Sequence, residues 1–270
     1  MRINTNLNAM IATNQMSKNT ALAGSSMEKL STGLRITKAG DDAAGLAVSE
    51  KMRAQIRGME QAERNVQDGI SMVQTAEGAL EEAGNIAQRM RELGVQAGND
   101  TLSDDDRTKV KKELEQLQDE MKKISEETKF NGKQLLNTAG TFTIQAGANS
   151  EIRTVSTANL ASIANNLSLT STNISNASEA QSFVKKVDVA LESINAARSE
   201  LGAMQNRLEY TANNLTTSTE NLTAAESRIR DVDVAKEMVT LSKLNILNQA
   251  SQAMVSQAKQ QPESVSQLLR

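Results

Sequence analysis

The residues best placed to do chemistry are carboxylates. Asp41-Asp42 and Asp104-Asp105-Asp106 form two tight clusters, and Glu77, Glu81 and Glu82 form a looser third. Such oxygens suit Mg²⁺ or Ca²⁺. Each Asp cluster, however, stands where a helical pattern begins, one after Gly40 and the other after Ser103. An acidic side chain there caps free N–H groups and meets the positive end of the helix dipole, so capping is the favoured role. The glutamates fall within a long helical run and are expected to solvate it. Other chemistry is scarce. The chain has no His, Cys or Trp. The usual zinc, copper and haem ligands are therefore missing, with the Ser-His-Asp and Cys-His arrangements and the H-E-x-x-H zinc site. One Tyr and three Phe among 270 residues leave little aromatic surface for an enzyme pocket. No enzymatic activity, cofactor or metal is expected. The twelve methionines are expected to fill core gaps.

What must position these residues is a set of long helices. Met52, Met59, Val66, Val73, Leu80 and Ala87 recur every seven residues, as do Val187, Ile194, Leu201, Leu208, Leu215, Leu222 and Ile229. A strict seven-residue repeat keeps one stripe of each helix against a partner helix. The first ladder implies a helix from about Ala43 to about Ala97, the second one from near Ser178 to about Arg230. Each is about 80 Å long at 1.5 Å per residue. Val110, Leu117 and Ile124 extend the pattern to a third helix over about 104–128, N-capped by Ser103. TFTIQA (141–146) and SEIRTVS (150–156) alternate in the manner of strands around Gly147-Ala148-Asn149, a β-hairpin. The Asn/Ser/Thr-rich stretch 157–177 reads as a loop with room for a short helix. The terminal segments 4–33 and 234–260 are thinner helices, marginal by themselves, and Pro262 is expected to end or kink the last one. The fold class is mainly α: an antiparallel helical bundle or coiled coil with a small β-hairpin, plus paired terminal helices. Domains are placed at 1–42 with 234–270, at 43–233, and at the short connector 157–177 within it.

Net charge is −3, and no basic block is present to neutralise phosphates, which argues against nucleic acid. No stretch approaches 18 apolar residues, so no membrane span is expected. MRINTNLNAMIATNQ lacks the apolar region of a cleaved signal peptide. The N-x-[ST] triplets at Asn166, Asn173, Asn176, Asn214 and Asn221 are expected by chance in so Asn-, Ser- and Thr-rich a chain.

Several blocks are specific. MRINTNLNAM, LSTGLRI (30–36), DDAAGLAVSEKMRAQIRGM (41–59), QDGISMVQTAEGAL (67–80), QRMREL (88–93) and FNGKQLL (130–136) closely resemble bacterial flagellin. So do LGAMQNRL (201–208), NNLTTSTENLTAAESRIRD (213–231) and SVSQLLR (264–270). The blocks fall in order over most of the chain. Flagellins commonly carry large variable outer domains in the middle; this chain has only 141–177 there and looks like a minimal form.

The resemblance implies a structural subunit that self-assembles into the flagellar filament for motility. It implies export through the flagellar type III apparatus without a cleaved signal peptide, an export chaperone on the C-terminal region, and an extracellular location. Further partners it implies are the filament cap and the hook-junction proteins. In the family, paired terminal helices form the inner filament core and longer helices the wall around it. Ile3, Leu7, Met10, Ile11, Leu247, Met254, Leu268 and Leu269 would then serve assembly. In some flagellins the QRMREL segment is read by Toll-like receptor 5 of animal hosts together with an acidic residue on the next helix. The matching positions are Arg89, Leu93 and Glu113. The rival readings are a hook–filament junction protein of the same export system and a coiled-coil chaperone or adaptor.

Overall fold

The computed structural model describes residues 6–167, 174 and 176–268, with side chains through residue 260. Its elements are α1 (Leu7–Thr32), α2 (Ala43–Ala97), α3 (Asp104–Glu127), β1 (Lys129–Phe130), β2 (Lys133–Gln134), β3 (Gly140–Gln145), β4 (Ile152–Thr157), α4 (Leu160–Asn166), α5 (Ala177–Arg230) and α6 (Val234–Leu268). The chain is mainly α with two small antiparallel strand pairs. It forms two compact units. One comprises Met1–Ala54 with Asn221–Arg270, and the other Gln55–Glu220. The division falls inside α2 and α5.

In the unit Gln55–Glu220, α2 and α5 run antiparallel in one register. Glu63 meets Thr216, Glu81 meets Arg198 and Arg91 meets Asp188, so one number falls as the other rises. Between these rims lies the seam. Met59, Val66, Val73, Leu80 and Ala87 of α2 are buried, as are Val187, Ile194, Leu201, Leu208 and Leu215 of α5. A second α2 stripe of Ala62, Ala76, Ala83 and Met90 is also buried, and its small residues let a neighbour approach closely. The ladder ends Met52, Leu222 and Ile229 belong to the other unit and are only half-buried.

Helix α3 begins at a capped turn. Ser103 Oγ accepts from the Asp106 N–H at 3.3 Å and donates to Asp106 Oδ2 at 2.7 Å. Its buried face is Val110, Leu114, Gln118, Met121 and Ser125, while Leu117 and Ile124 sit half-buried at the edge. The face keeps a seven-residue spacing in Leu114/Met121 and Gln118/Ser125 but is shifted by one residue from the expected Leu117 and Ile124, with polar residues drawn in. Gln118 Nε2 donates to the Ala164 carbonyl of α4 at 3.1 Å, and Ser125 Oγ to the Leu136 carbonyl at 3.4 Å.

The hairpin β3–β4 forms as the alternation predicts, with Phe142 opposite Val155. It lies against α2 where Asn65 Nδ2 donates to the Gln145 carbonyl at 3.2 Å. Gly69 permits this: an added Cβ would collide with Ile144. The connector holds the short helix α4; its residues 168–173 and 175, with the Asn173 triplet, lie outside the described residues.

Two features were not expected. A second hairpin, β1–β2, turns at Asn131-Gly132, both with positive φ as a two-residue type I′ turn requires. And α6 does not stop near residue 260 but runs through Pro262 to Leu268. Proline has no N–H for the Ala258 carbonyl one turn earlier. Asn6 Nδ2, from the start of α1, donates to that carbonyl instead at 2.6 Å.

Candidate functional site

The terminal helices α1 and α6 pair antiparallel within one unit. Asn6 caps α1, its Oδ1 accepting from the Ala9 N–H at 3.1 Å, and the Gly33 N–H closes the other end on the Lys29 carbonyl at 2.9 Å. The residues turned inward on α1 are Ala9, Ala12, Met16, Asn19, Ala23, Ser26 and Leu30. Those on α6 are Glu237, Leu241, Leu244, Asn248, Ser251, Val255 and Ala258. Both sets alternate steps of three and four, the spacing of a coiled-coil seam. The seam is unusual in mixing small and polar residues with only five larger apolar ones, Met16, Leu30, Leu241, Leu244 and Val255. Asn19 Nδ2 reaches Ser251 Oγ at 3.5 Å and Thr20 Oγ1 reaches Asn248 Oδ1 at 3.4 Å.

Most of the large apolar residues face outward instead. Ile11 is 59% exposed and Met254 64%. Leu7, Met10, Leu22 and Met27 of α1 are exposed with them, as are Val234, Met238, Val239, Ile246 and Leu247 of α6. Of the proposed assembly residues, Leu7, Met10, Ile11, Leu247 and Met254 thus lie on one exposed apolar surface type. Ile3 and Leu269 lie outside the described residues, as does the Leu268 side chain. Neither Asn6, Asn19 nor Ser251 was singled out from sequence, since isolated polar residues in an Asn- and Ser-rich helix carry no periodic signal.

The opposite end of the pair is a backbone junction. The Arg35 N–H donates to the Arg230 carbonyl at 2.6 Å and the Val232 N–H to the Gly33 carbonyl at 3.0 Å, flanking a Leu34–Asp231 bridge. Arg35 Nη2 adds a bond to the Ile229 carbonyl at 2.5 Å. Glu50 anchors this junction to α2, accepting from Arg230 Nη1 at 2.6 Å and Arg53 Nη1 at 3.1 Å. The hydrogen bond from Arg230 is the main reason the Glu50 carboxyl lies below the ordinary glutamate range.

In the acidic clusters, Asp42 and the Ser103–Asp106 pair stand at helix starts, and Asp41 holds the turn before α2. Asp41 Oδ2 accepts from the N–H groups of Thr37 and Lys38, both at 3.1 Å, which hold its carboxyl below the ordinary range, the Thr37 bond most strongly. Asp42 Oδ1 accepts from the Gly45 N–H at 2.9 Å. Ser103, and after it Lys109, likewise lower Asp106. Among the described residues no group of three or more acidic side chains is arranged to hold a metal. No described helix is long and apolar enough to cross a membrane.

Arg89 and Glu113 come together between α2 and α3. Arg89 Nη2 meets Glu113 Oε1 at 3.0 Å, and Nη1 meets Glu92 at 3.0 Å. The Glu92 and Glu113 bonds, in that order, raise the Arg89 guanidinium above its ordinary value. Arg89 and Glu113 keep about half their side chains in solvent, whereas Leu93 is only 2% exposed. Leu93 therefore lies beneath this surface rather than on it.

Comparison with known proteins covers nearly the whole chain. The bacterial flagellin N-terminal helical region matches residues 3–141, and the bacterial flagellin C-terminal helical region matches residues 184–269. The chain is 53% identical to a flagellin of Halalkalibacterium halodurans and 48% identical to a flagellin of Bacillus subtilis, each alignment covering all of both chains. It is 44% identical, again over all of both, to the flagellar filament 33 kDa core protein of Treponema phagedenis. The crystal structure of Bacillus cereus flagellin superposes with a TM-score of 0.52 at 34% identity, covering 60% of this chain and 94% of that one. A putative flagellar hook-associated protein from Vibrio parahaemolyticus shares the fold at 14% identity, with a TM-score of 0.57 over 71% of this chain and all of that one. Outward apolar terminal helices, two matched helical regions and full-length relatives together make this chain a structural subunit of the flagellar filament: it belongs to the bacterial flagellin family.

Proposed function

We propose that α1 and α6 are the parts of the chain that join subunit to subunit, forming the inner filament core. Residues 1–42 with 234–270 act as that core domain, and 43–233 as the helical wall domain around it. The observation that carries this is the inverted seam. Small, polar and a few larger apolar residues meet inside the α1–α6 pair, while Ile11, Met27, Val239, Ile246 and Met254 face solvent. A two-helix layer of this kind buries little alone. Each outward Ile, Leu or Met contributes about 1.5–3 kcal/mol once covered, so further copies of the same helices stabilise it. Electron microscopy after salt-induced polymerisation tests the reading. Filaments from the intact chain support it; a chain that stays monomeric under conditions where its relatives polymerise removes it. Absence of ordered filaments with assembly only onto a preformed hook would favour the junction-protein reading instead.

Export through the flagellar type III route, uncleaved and escorted by a chaperone on the C-terminal region, belongs to the same proposal. The cap and hook-junction proteins belong to it as well. N-terminal sequencing of filament protein checks it: a start at Met1 or Arg2 fits, and a start after a removed leader of 15 or more residues contradicts. The role is structural, with no catalysis assigned to any residue.

A second reading is favoured by the exposed Arg89–Glu113 pair. This surface is one that Toll-like receptor 5 of animal hosts could bind, with Arg89 as the central contact and Leu93 supporting it from below. In a receptor reporter assay with monomeric protein, Arg89→Ala is expected to lose at least tenfold in potency. Equal potency of the two proteins defeats this role.

A further inference from the structure

One side chain does two jobs at the far end of the terminal pair. The Oδ1 of Asn6 caps α1 through the Ala9 N–H, and its Nδ2 donates to the Ala258 carbonyl of α6 at 2.6 Å. In a continuous helix that carbonyl would accept from the N–H of residue 262. Residue 262 is the only proline in the chain, and it lies inside α6. Proline leaves the acceptor one turn earlier without its donor. Ala258 is 8% exposed, so water has poor access to the residue whose carbonyl has lost its partner.

We propose that Asn6 and Pro262 are a complementary pair that sets the register of the terminal helices. The proline strips one carbonyl of its helical donor, and the asparagine supplies the donor from the other helix. The small positions of the seam discriminate poorly. Ala9, Ala12, Ala23 and Ser26 are small enough to occupy each other's places if α1 slides along α6. Met16 and Leu30 on α1, with Leu241, Leu244 and Val255 on α6, resist a slip in part, and the polar contact at Ala258 adds to that packing in fixing the register. The cross-helix bonds of Asn19 and Thr20 are longer, at 3.5 and 3.4 Å. A slip of one turn, about 5.4 Å, would set the Asn6 amide against a carbonyl already engaged by its own helix and strand that of Ala258. A single buried polar contact can fix register in this way, at some cost in stability, as a core asparagine does in coiled coils.

The consequence for assembly rests on the inner-core role proposed for α1 and α6, because a slipped pair would present its outward apolar residues out of step. The test is a double-mutant cycle on the full chain, read as the critical concentration for filament formation. Asn6→Ser keeps a good N-cap but cannot reach Ala258. Pro262→Ala returns an N–H to the Ala258 carbonyl. Asn6→Ser is expected to raise the critical concentration about tenfold in the wild-type background, the effect of an unpaired buried acceptor. In the Pro262→Ala background it should change by less than about twofold, the limit set by ordinary additivity. Equal losses in both backgrounds, or none in either, overturn the proposal. If Asn6→Ser forms no filaments at all, recovery by added Pro262→Ala supports the pairing and continued failure rejects it. A wild-type chain that forms no filaments counts against the assembly reading alone. The same cycle is then read from hydrogen-exchange protection of α1 in the soluble chain, where equal losses in both backgrounds again overturn the pairing.

Discussion

Polar residues in this chain work mostly by ending helices and joining their ends. Glu50 is the clearest case, because its carboxylate gathers Arg230 and Arg53 at the junction of α1, α2, α5 and α6. Its folded-state pKa is lowered, so the stabilisation is present above the ordinary glutamate range and is lost as pH falls through the lowered value. Asp41, lowered chiefly by the Thr37 N–H, titrates in the same sense. Hydrogen exchange of the Arg35 and Val232 amides is expected to accelerate as pH drops below about 4, after correction for intrinsic rates. Glu50→Gln should flatten that acid dependence; an unchanged profile would mean the junction is held by its backbone bonds alone. At the start of α3, Ser103→Ala removes the acceptor for the Asp106 N–H. It is expected to cost about 1 kcal/mol, measured by denaturant unfolding.

At the scale of the element, a seven-residue ladder marks a face but does not say how deeply it is buried. Val66, Val73, Leu80 and Ala87 lie in the seam with hardly any exposure, because α5 covers that stretch in register. Leu80→Ala should therefore destabilise by about 2–5 kcal/mol, seen as a lowered thermal midpoint. On α3 the ladder and the buried face diverge. Gln118 and Ser125 are buried to satisfy carbonyls of Ala164 and Leu136, moving Leu117 and Ile124 to the rim. No periodicity of the helix itself could report that, since the acceptors come from distant segments. The β1–β2 hairpin had a readable signal in Asn131-Gly132, but strands of two residues are too short to alternate. Replacing Gly132 with Val, at φ +78°, should unravel this turn. The loss should be about 1–2 kcal/mol by the same unfolding measurement.

For the whole molecule, each compact unit has its own kind of interior. Gln55–Glu220 holds large side chains buried to near completion, such as Phe183, Leu80, Leu114 and Met121. The terminal pair holds mainly alanine, serine and asparagine inside, with a few larger residues such as Leu244, and displays most of its large residues. Ile11→Asp and Met254→Asp should accordingly prevent filament formation while leaving the thermal midpoint of the soluble chain within about a degree or two, as surface changes do. Sedimentation after polymerisation, beside a thermal melt, separates the two effects. A fall of several degrees in the midpoint would show instead that these residues support the subunit's own fold. Removing residues 234–270 should likewise abolish filaments and leave the helices of Gln55–Glu220 folded, as circular dichroism would record.

The sequence alone determined the long helices and most of their ends, that of α6 excepted. Heptad spacing, the Ser103 cap, a cap at Asp41 or Asp42 and the absence of His and Cys act locally or by exclusion, so no partner is needed to interpret them. It also carried the family, because blocks such as DDAAGLAVSEKMRAQIRGM and the QRMREL segment are distinctive in order and content. Tertiary structure decided which side of α1 and α6 faces inward. A thin apolar pattern looks like a weak core until the opposing helix shows that Asn19, Ser26 and Ser251 occupy the seam and Ile11 and Met254 do not. It also decided how a proline could sit inside α6. The donor that the Ala258 carbonyl lacks comes from Asn6, 252 positions away in the chain, and only a fold that brings the two ends together can supply it.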